Sequence, residues 1–137
     1  MADASITASE VLKSTNARLG QGIAQVATTA GEALYLNEAT DKLNLAFNTG
    51  TAAEADVVGL AINDAAIDQA IVFQRGGTLT LGATAALTKG TTMFLSSTAG
   101  KIHPAADLAS GDHRTYIGTV DGSDAIVMKI HASGVRA

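Results

Sequence analysis

The feature that most constrains the fold of this 137-residue chain is an internal repeat with a constant offset of 59 residues. Residues Gly31–Asn37 (GEALYLN) match Gly90–Ser96 (GTTMFLS) in their leading glycine, their aromatic residue and their apolar positions. The same offset, without a gap, aligns Lys42-Leu43 with Lys101-Ile102 and Val58-Gly59 with Ile117-Gly118. Because there are two copies only, the repeat predicts two related units packed against each other rather than a solenoid.

Alternation of apolar and polar residues predicts that these units consist of short strands with one buried face. Leu43, Leu45 and Phe47 fall on one face of such a strand, as do Ile71 and Phe73 of another. Turn signals separate the segments every 8 to 12 residues or so. Short helical pieces are predicted at 52–55, 83–88 and 104–109.

The core is predicted to be aliphatic, since the chain has 27 Ala, 16 Thr and 14 Gly but no Trp. Gly59 and Gly118 lie inside strand patterns, which indicates bulges or close approach of another backbone. With so little aromatic surface, we expect burial to be completed by association into an oligomer. The residues assigned to the core and fold are Leu34, Tyr35, Leu36, Leu43, Leu45, Phe47, Gly59, Ile71, Phe73, Phe94 and Gly118.

The first 25 residues differ from the rest in having no period-two pattern. Thr7 and Glu10 match a capping box and predict a short helix over 7–18. Its apolar stripe is thin, however, and its middle contains weak helix formers. Gly20 and Gly22 are expected to end any element.

We therefore divide the chain into an arm and a domain. Residues 1–25 are interpreted as an extended arm that is weakly structured alone. Residues 26–137 are interpreted as a single β domain that folds without the arm. Its internal repeat covers about 31–64 and 90–123.

No catalytic, metal-binding or nucleic-acid-binding constellation stands out. The absence of cysteine excludes disulfides and thiolate chemistry. His103, His113 and His131 lack metal-binding spacing, and Ser110, Asp112 and His113 lack a nucleophile-elbow motif. A net charge of −4 disfavours duplex binding, which depends on Lys and Arg. No apolar run approaches the roughly 20 residues of a membrane span. We expect no cofactor, no metal, no nucleic acid, no membrane and no small-molecule substrate.

The order of segments across residues 24–82 carries a resemblance to a known family. An Ala/Thr-rich arm leads to Ala30–Leu36, followed by Lys42–Ala46, Ala55–Ile62 and Ala70–Thr78. This order of glycine-bearing and apolar runs resembles the head-decoration (capsid cement) proteins of tailed bacteriophages, in particular the lambda-like group. Gly90–Ser97 and Tyr116–Val120 are similar to a wider set of phage cement proteins. Residues 83–137 have no obvious counterpart in the lambda-like group.

The resemblance implies a small β-sandwich or barrel of the β-tulip type, built here from two related units, and a structural rather than enzymatic function. Proteins of this family bind the exterior of the expanded icosahedral head as trimers at local threefold positions and stabilise it against DNA pressure. The implied partners are the major capsid protein and further copies of the chain, as a homotrimer. The implied location is the outer surface of the virion capsid, after synthesis in the host bacterial cytoplasm. The arm residues assigned to capsid binding are Ile6, Thr7, Val11 and Leu12.

Two other classes of protein fit the same sequence. Another virion or surface β module, such as a head fibre base, tail component or adhesin, shares its composition and strand pattern. A small β hydrolase is the alternative among enzymes, and a histidine with a perturbed pKa would be its signature.

Overall fold

The computed structural model describes residues 4, 6, 11–13, 16–82, 87–104, 107–122 and 124–136. These residues form ten strands and no α-helix, which confirms the predicted mainly β class. The strands are β1 (Leu12–Lys13), β2 (Arg18–Ile23), β3 (Ala33–Asn37), β4 (Lys42–Leu45), β5 (Val57–Ala61), β6 (Ala70–Thr80), β7 (Thr92–Leu95), β8 (Ile102–Pro104), β9 (His113–Asp121) and β10 (Ala125–Arg136).

The strands of the described ranges join one curled antiparallel sheet in the order β4-β3-β5-β6-β10-β9-β7-β8. The central β6–β10 pair separates strands of the first unit from strands of the second. β1 and β2 also pair with β6, and they lie along the edge opposite to β5 and β10. The curl of the sheet gives the half-barrel form of a small β-barrel or sandwich.

The pairing register of the first unit recurs in the second at the 59-residue offset. In both units the register shifts at the same place, directly after Leu34 in β3 and directly after Met93 in β7. The offset is thus a property of the strand register as well as of the sequence. Equivalent pairs are Leu34–Leu45 and Met93–Pro104, Leu34–Gly59 and Met93–Gly118, and Tyr35–Val57 and Phe94–Tyr116.

Both register shifts contain a glycine for which a side chain has no room. A Cβ at Gly59 would lie 2.6 Å from the carbonyl oxygen of Gln74, and a Cβ at Gly118 would overlap the carbonyl oxygen of Val127. Both interpretations of these glycines are therefore confirmed, because each lies at a bulge-type register shift and is approached closely by the neighbouring backbone.

Two clusters of buried side chains stabilise the sheet. The central core lies between the units and includes Leu60, Leu79, Leu95, Ile117 and Met128 among its members. The first-unit core is smaller and consists of Ala24, Leu34, Leu43, Ala61, Ala65, Ile71 and Phe73.

Most of the residues assigned to the core lie there, but not all. Leu34, Tyr35, Leu43, Ile71 and Phe73 are buried, as are Gly59 and Gly118. Leu45, Phe47 and Phe94 are only partly buried, and Phe47 lies beyond the end of β4. The assignment of Leu36 to the core is wrong. Its side chain is 41% exposed, because it sits at the rim of the first-unit core near the end of β3.

None of the predicted helical pieces forms an α-helix in the described residues, although Asp107 of the piece predicted at 104–109 has 3₁₀-helical conformation. Residues 52–55 form a turn, and residues 12–13 and 18 of the predicted helix over 7–18 belong to β1 and β2. As strands, these residues form backbone hydrogen bonds with β6. A helix over 7–18 would have only a thin apolar stripe to stabilise it by packing. Residues 83–86 and 105–106 of the other two predicted pieces lie outside the described residues.

The structure also changes the expectation that the domain folds without residues 1–25. Six residues of β2 pair with β6, and Ala24 and Val11 are buried in the two cores. Removing them would expose one edge of β6 and parts of both cores. The arm's weak structure when alone stays a prediction.

Candidate functional site

Buried polar side chains fasten the β4–β5 loop of the first unit to the second unit. Asn48 donates from its backbone N to the Ser96 carbonyl (3.0 Å) and from Nδ2 to the Leu95 carbonyl (2.7 Å). His113 Nε2 lies 3.0 Å from the Gly50 carbonyl oxygen, and Asp112 Oδ2 accepts from the Ala109 backbone N (2.9 Å). Asp112 and His113 are therefore engaged in holding loops in place.

The other two histidines differ from His113 in their surroundings. His103 is buried, and its Nδ1 lies 2.8 Å from the carbonyl oxygen of Pro104. His131 is exposed on β10. Within the described ranges, no group of three or more His, Cys, Asp or Glu residues is arranged to hold a metal ion.

The most distinctive surface feature is an apolar groove at the rim of the first-unit core. Its volume is about 380 Å³, and it lies between β2 and the β3–β4 hairpin. Leu43, Val58 and Phe73 contribute to its apolar lining, and Ile23 and Leu36 line it with exposed side chains. The full lining is Gln21, Gly22, Ile23, Leu36, Asp41, Leu43, Val58 and Phe73.

Two glycines of β2 let this strand lie directly on the first-unit core. A Cβ at Gly20 would come within 2.5 Å of the Phe73 ring, and one at Gly22 would come within 2.9 Å of Leu43 Cδ1. The expectation that these glycines end an element is wrong, because they are interior positions of β2. Their lack of side chains allows a close approach of strand and core.

The other face of β2 is exposed and partly apolar. Leu19 and Ile23 are 42% and 40% exposed, and Gln21 between them is also exposed. Four large apolar side chains are exposed in the described residues. Three of them, Leu19, Ile23 and Leu36, lie around this surface, and the fourth is Ile67. A concentration of exposed apolar side chains around a concave surface is typical of an interaction site.

The rim of this surface is acidic. Asp41 lines the groove, and Glu38 and Glu54 line a second depression of about 430 Å³ that shares Leu36 with the first. Neither lining contains a Lys or Arg. The nearby Lys42 is paired with Asp68, with its Nζ 2.6 Å from the Asp68 Oδ1. The surface therefore combines apolar side chains with unbalanced negative charge.

Tyr35 forms part of the lining of the second depression. Burial raises the pKa of its hydroxyl above the ordinary value of 10.0, and the negative charge of Glu54 raises it further. The side chain is therefore neutral at physiological pH.

The arm residues assigned to capsid binding are used differently within the folded chain. Val11 is buried in the central core, and Ile6 packs against that core beside Gly31. Leu12 pairs with Thr80 in the sheet, whereas Thr7 lies outside the described residues. Contact of Val11 with another protein would require this segment to detach, so its role in capsid binding stays a prediction.

The groove is what sequence reasoning misses. Gly20 and Gly22 have the character of breaks, and they hide the alternating outer face of a strand that Leu19, Gln21 and Ile23 form. That alternation is the signal that identifies β2 once the glycines are accepted as interior positions. The contribution of Asp41 depends on the position of the β3–β4 hairpin beside β2, which local sequence does not reveal.

Comparisons with known proteins add no family assignment. A scan against protein-family models finds no match to this chain, and a search of the curated proteins finds none either. The described residues also contain no helix with the length and apolar character that crossing a membrane requires.

Proposed function

We propose that this protein is a structural binding protein that decorates the exterior of a bacteriophage head, with the apolar groove of its first unit as the contact surface. It acts as a trimer at local threefold positions and stabilises the expanded shell against internal DNA pressure. The sequence resemblance supplies the class of partner. The exposure of Leu36 and Ile23 around the groove is the observation that carries a binding function.

The arrangement suits a protein that acts in many copies. Each copy offers a modest apolar surface with an acidic rim, so a single contact need not be strong. Many such contacts on one shell add up, because each bound copy holds neighbouring subunits in place. A rigid β scaffold also presents the groove without a large ordering cost on binding.

The test is co-sedimentation of the purified protein with undecorated, expanded shells of its phage. We expect saturation near one copy per capsid subunit. The double variant Ile23→Thr/Leu36→Thr should bind at least about tenfold more weakly, because it removes the exposed apolar side chains of the groove. Ile67→Thr is the matched control, since Ile67 is exposed but does not line the groove.

Two results would overturn the proposal. Failure of the wild-type protein to bind any form of the shell would exclude head decoration and favour a fibre, tail or surface module. Equal binding by the double variant and the wild type would leave a decoration protein that uses another surface.

A further inference from the structure

The second unit shows what fills a groove of this kind. Four residues of the groove lining lie within the repeat, and each has an equivalent 59 residues later that is buried. The equivalents of Leu36, Asp41, Leu43 and Val58 are Leu95, Gly100, Ile102 and Ile117.

The β4–β5 loop of the first unit, which includes Ala46 and Asn48, covers this region of the second unit. The Gly100 N donates to the Ala46 carbonyl (2.7 Å), and Asn48 bonds to the carbonyl oxygens of Leu95 and Ser96. Backbone groups thus supply most of the polar contacts, and the covered side chains are apolar. No described segment of the chain covers Leu36 in the same way, which leaves the first-unit groove open.

One wall of the open groove is β2, whose outer edge has no strand partner at Leu19 and Gln21 among the described residues. Directly after β2 the same edge meets β4, where Ala24 bridges to Leu43 and the Gln25 N donates to the Leu43 carbonyl oxygen (2.8 Å). Ala24 donates its N–H to the Gln69 carbonyl across the β2–β6 ladder. Since alternate residues of an antiparallel strand bond to the same neighbour, Gly22 and Gly20 bond to β6. Gln21 and Leu19 then direct their N–H and C=O groups away from β6, where the described residues provide no strand partner.

We infer that the groove accepts an extended segment of the partner protein, which adds as a strand to the free edge of β2. It places an apolar side chain between Ile23 and Leu36 and a lysine or arginine beside Asp41. Strand addition obtains affinity from main-chain hydrogen bonds and specificity from alternate side chains in pockets. The basic residue follows from the carboxylates of the two linings and their lack of Lys or Arg. This inference rests on the groove being the contact surface proposed above.

A proline variant tests the edge of β2 directly. Gln21→Pro removes an N–H that does not serve the β2–β6 ladder, and proline is tolerated at edge positions whose N–H faces outward. Gln21→Thr is the matched control, because it changes the side chain but keeps the N–H. We expect Gln21→Pro to bind shells at least about tenfold more weakly than Gln21→Thr, with similar unfolding midpoints for both.

The chemistry of the partner can be tested without shells. The probe is the peptide acetyl-Thr-Lys-Thr-Leu-Thr-Lys-Thr-amide, and its control has Glu in place of both Lys. The Lys peptide should slow hydrogen exchange at the Leu19 and Gln21 amides, and the Glu peptide should do so much less. Asp41→Asn should remove most of this difference, and asparagine suits the positive φ of 56° at position 41.

The outcomes separate this inference from the proposed function. Shell binding that is lost in Ile23→Thr/Leu36→Thr but retained in Gln21→Pro would overturn strand addition and keep the function. Slowed exchange with the Lys peptide, without any shell binding, would keep strand addition and overturn the proposed function. Unchanged exchange at Leu19 and Gln21 with the Lys peptide overturns the inference. The inference is also overturned if, without peptide, exchange at these amides slows as the protein concentration rises, because a second copy of the chain would then occupy the edge.

Discussion

The two units of this protein share a strand register but differ in how completely they are covered. Leu95 of the second unit is fully buried, whereas its equivalent in the first unit, Leu36, is 41% exposed. The second unit is covered by the β4–β5 loop, and Ala4 donates a backbone hydrogen bond to Ile102. Val11 and Ile6 pack in the central core, beside Gly31 of the first unit. Among the described residues, β2 lies across the first-unit core together with Ala24 directly after it, which is buried there and bridges to Leu43.

Under the proposed function, the same architecture serves a different purpose in each unit. In the second unit the apolar positions stabilise the fold. In the first unit Leu36, one of these positions, stays accessible while Leu43 is buried. An exposed apolar edge carries a risk of aggregation. Accessibility is what a contact surface requires, so we attribute binding to the first unit and rigidity to the second.

Deleting residues 1–25 should have the largest effect on stability, because it uncovers both units at once. The deletion removes β2 and the buried side chains of Val11 and Ala24. We expect a loss comparable with the whole free energy of unfolding, about 5–15 kcal/mol for a domain of this kind. Circular dichroism and chemical denaturation measure it, with deletion of residues 1–3 as the control. A cooperative, near-native unfolding transition in the 1–25 deletion would show that the arm is dispensable.

Truncating the equivalent leucines should distinguish the units. Leu95→Ala should lower the free energy of unfolding by about 2–5 kcal/mol, because it leaves a cavity in the central core. Leu36→Ala should lower it by less than about 1 kcal/mol, since its side chain is already at the surface. Urea denaturation of both variants measures the difference. Equal losses would mean that Leu36 is as well covered in solution as Leu95.

Substitution of the two bulge glycines, Gly59 and Gly118, should instead have a similar effect on stability in both units. Gly59→Ala and Gly118→Ala each force a Cβ against a neighbouring carbonyl oxygen, and such overpacking costs about 1–3 kcal/mol. Thermal unfolding of the two variants should give similar shifts. A large cost at one glycine and none at the other would contradict the common register.

Tyr35 and its equivalent Phe94 offer the smallest and most specific effect. The raised pKa of Tyr35 means that the unfolded state releases this proton at lower pH than the folded state. This contribution to stability is therefore fully present below about pH 10 and is lost as the pH rises through the folded-state pKa. Tyr35→Phe should unfold less readily than wild type at pH 11, relative to pH 7. The same pH dependence in both proteins would remove Tyr35 as its source.

The mainly β class could be predicted because period-two alternation and turn residues are local signals. The same signals predict that Leu34, Leu43, Ile71 and Phe73 belong to the core, and these residues are buried. Leu36 has the same local pattern, yet its exposure depends on which other segments reach it. No local pattern contains that information.

The candidate site was less predictable because it depends on long-range packing. Gly20 and Gly22 look like breaks in sequence, and their meaning becomes clear only when Phe73 and Leu43 are seen beneath them. Asp41 belongs to a turn in sequence and becomes part of the groove because the β3–β4 hairpin lies beside β2. Binding surfaces of this kind arise from tertiary structure rather than from a motif.

The most direct test of the account is hydrogen exchange of the wild-type protein, free and bound to expanded shells, read at individual amides. We predict that the amides of Leu19 and Gln21 on the free edge of β2 exchange at least about tenfold more slowly on the shell. The amide of Leu95, already buried in the second unit, should change little. Stable shell binding with unchanged exchange at Leu19 and Gln21 would contradict binding through the free edge of β2.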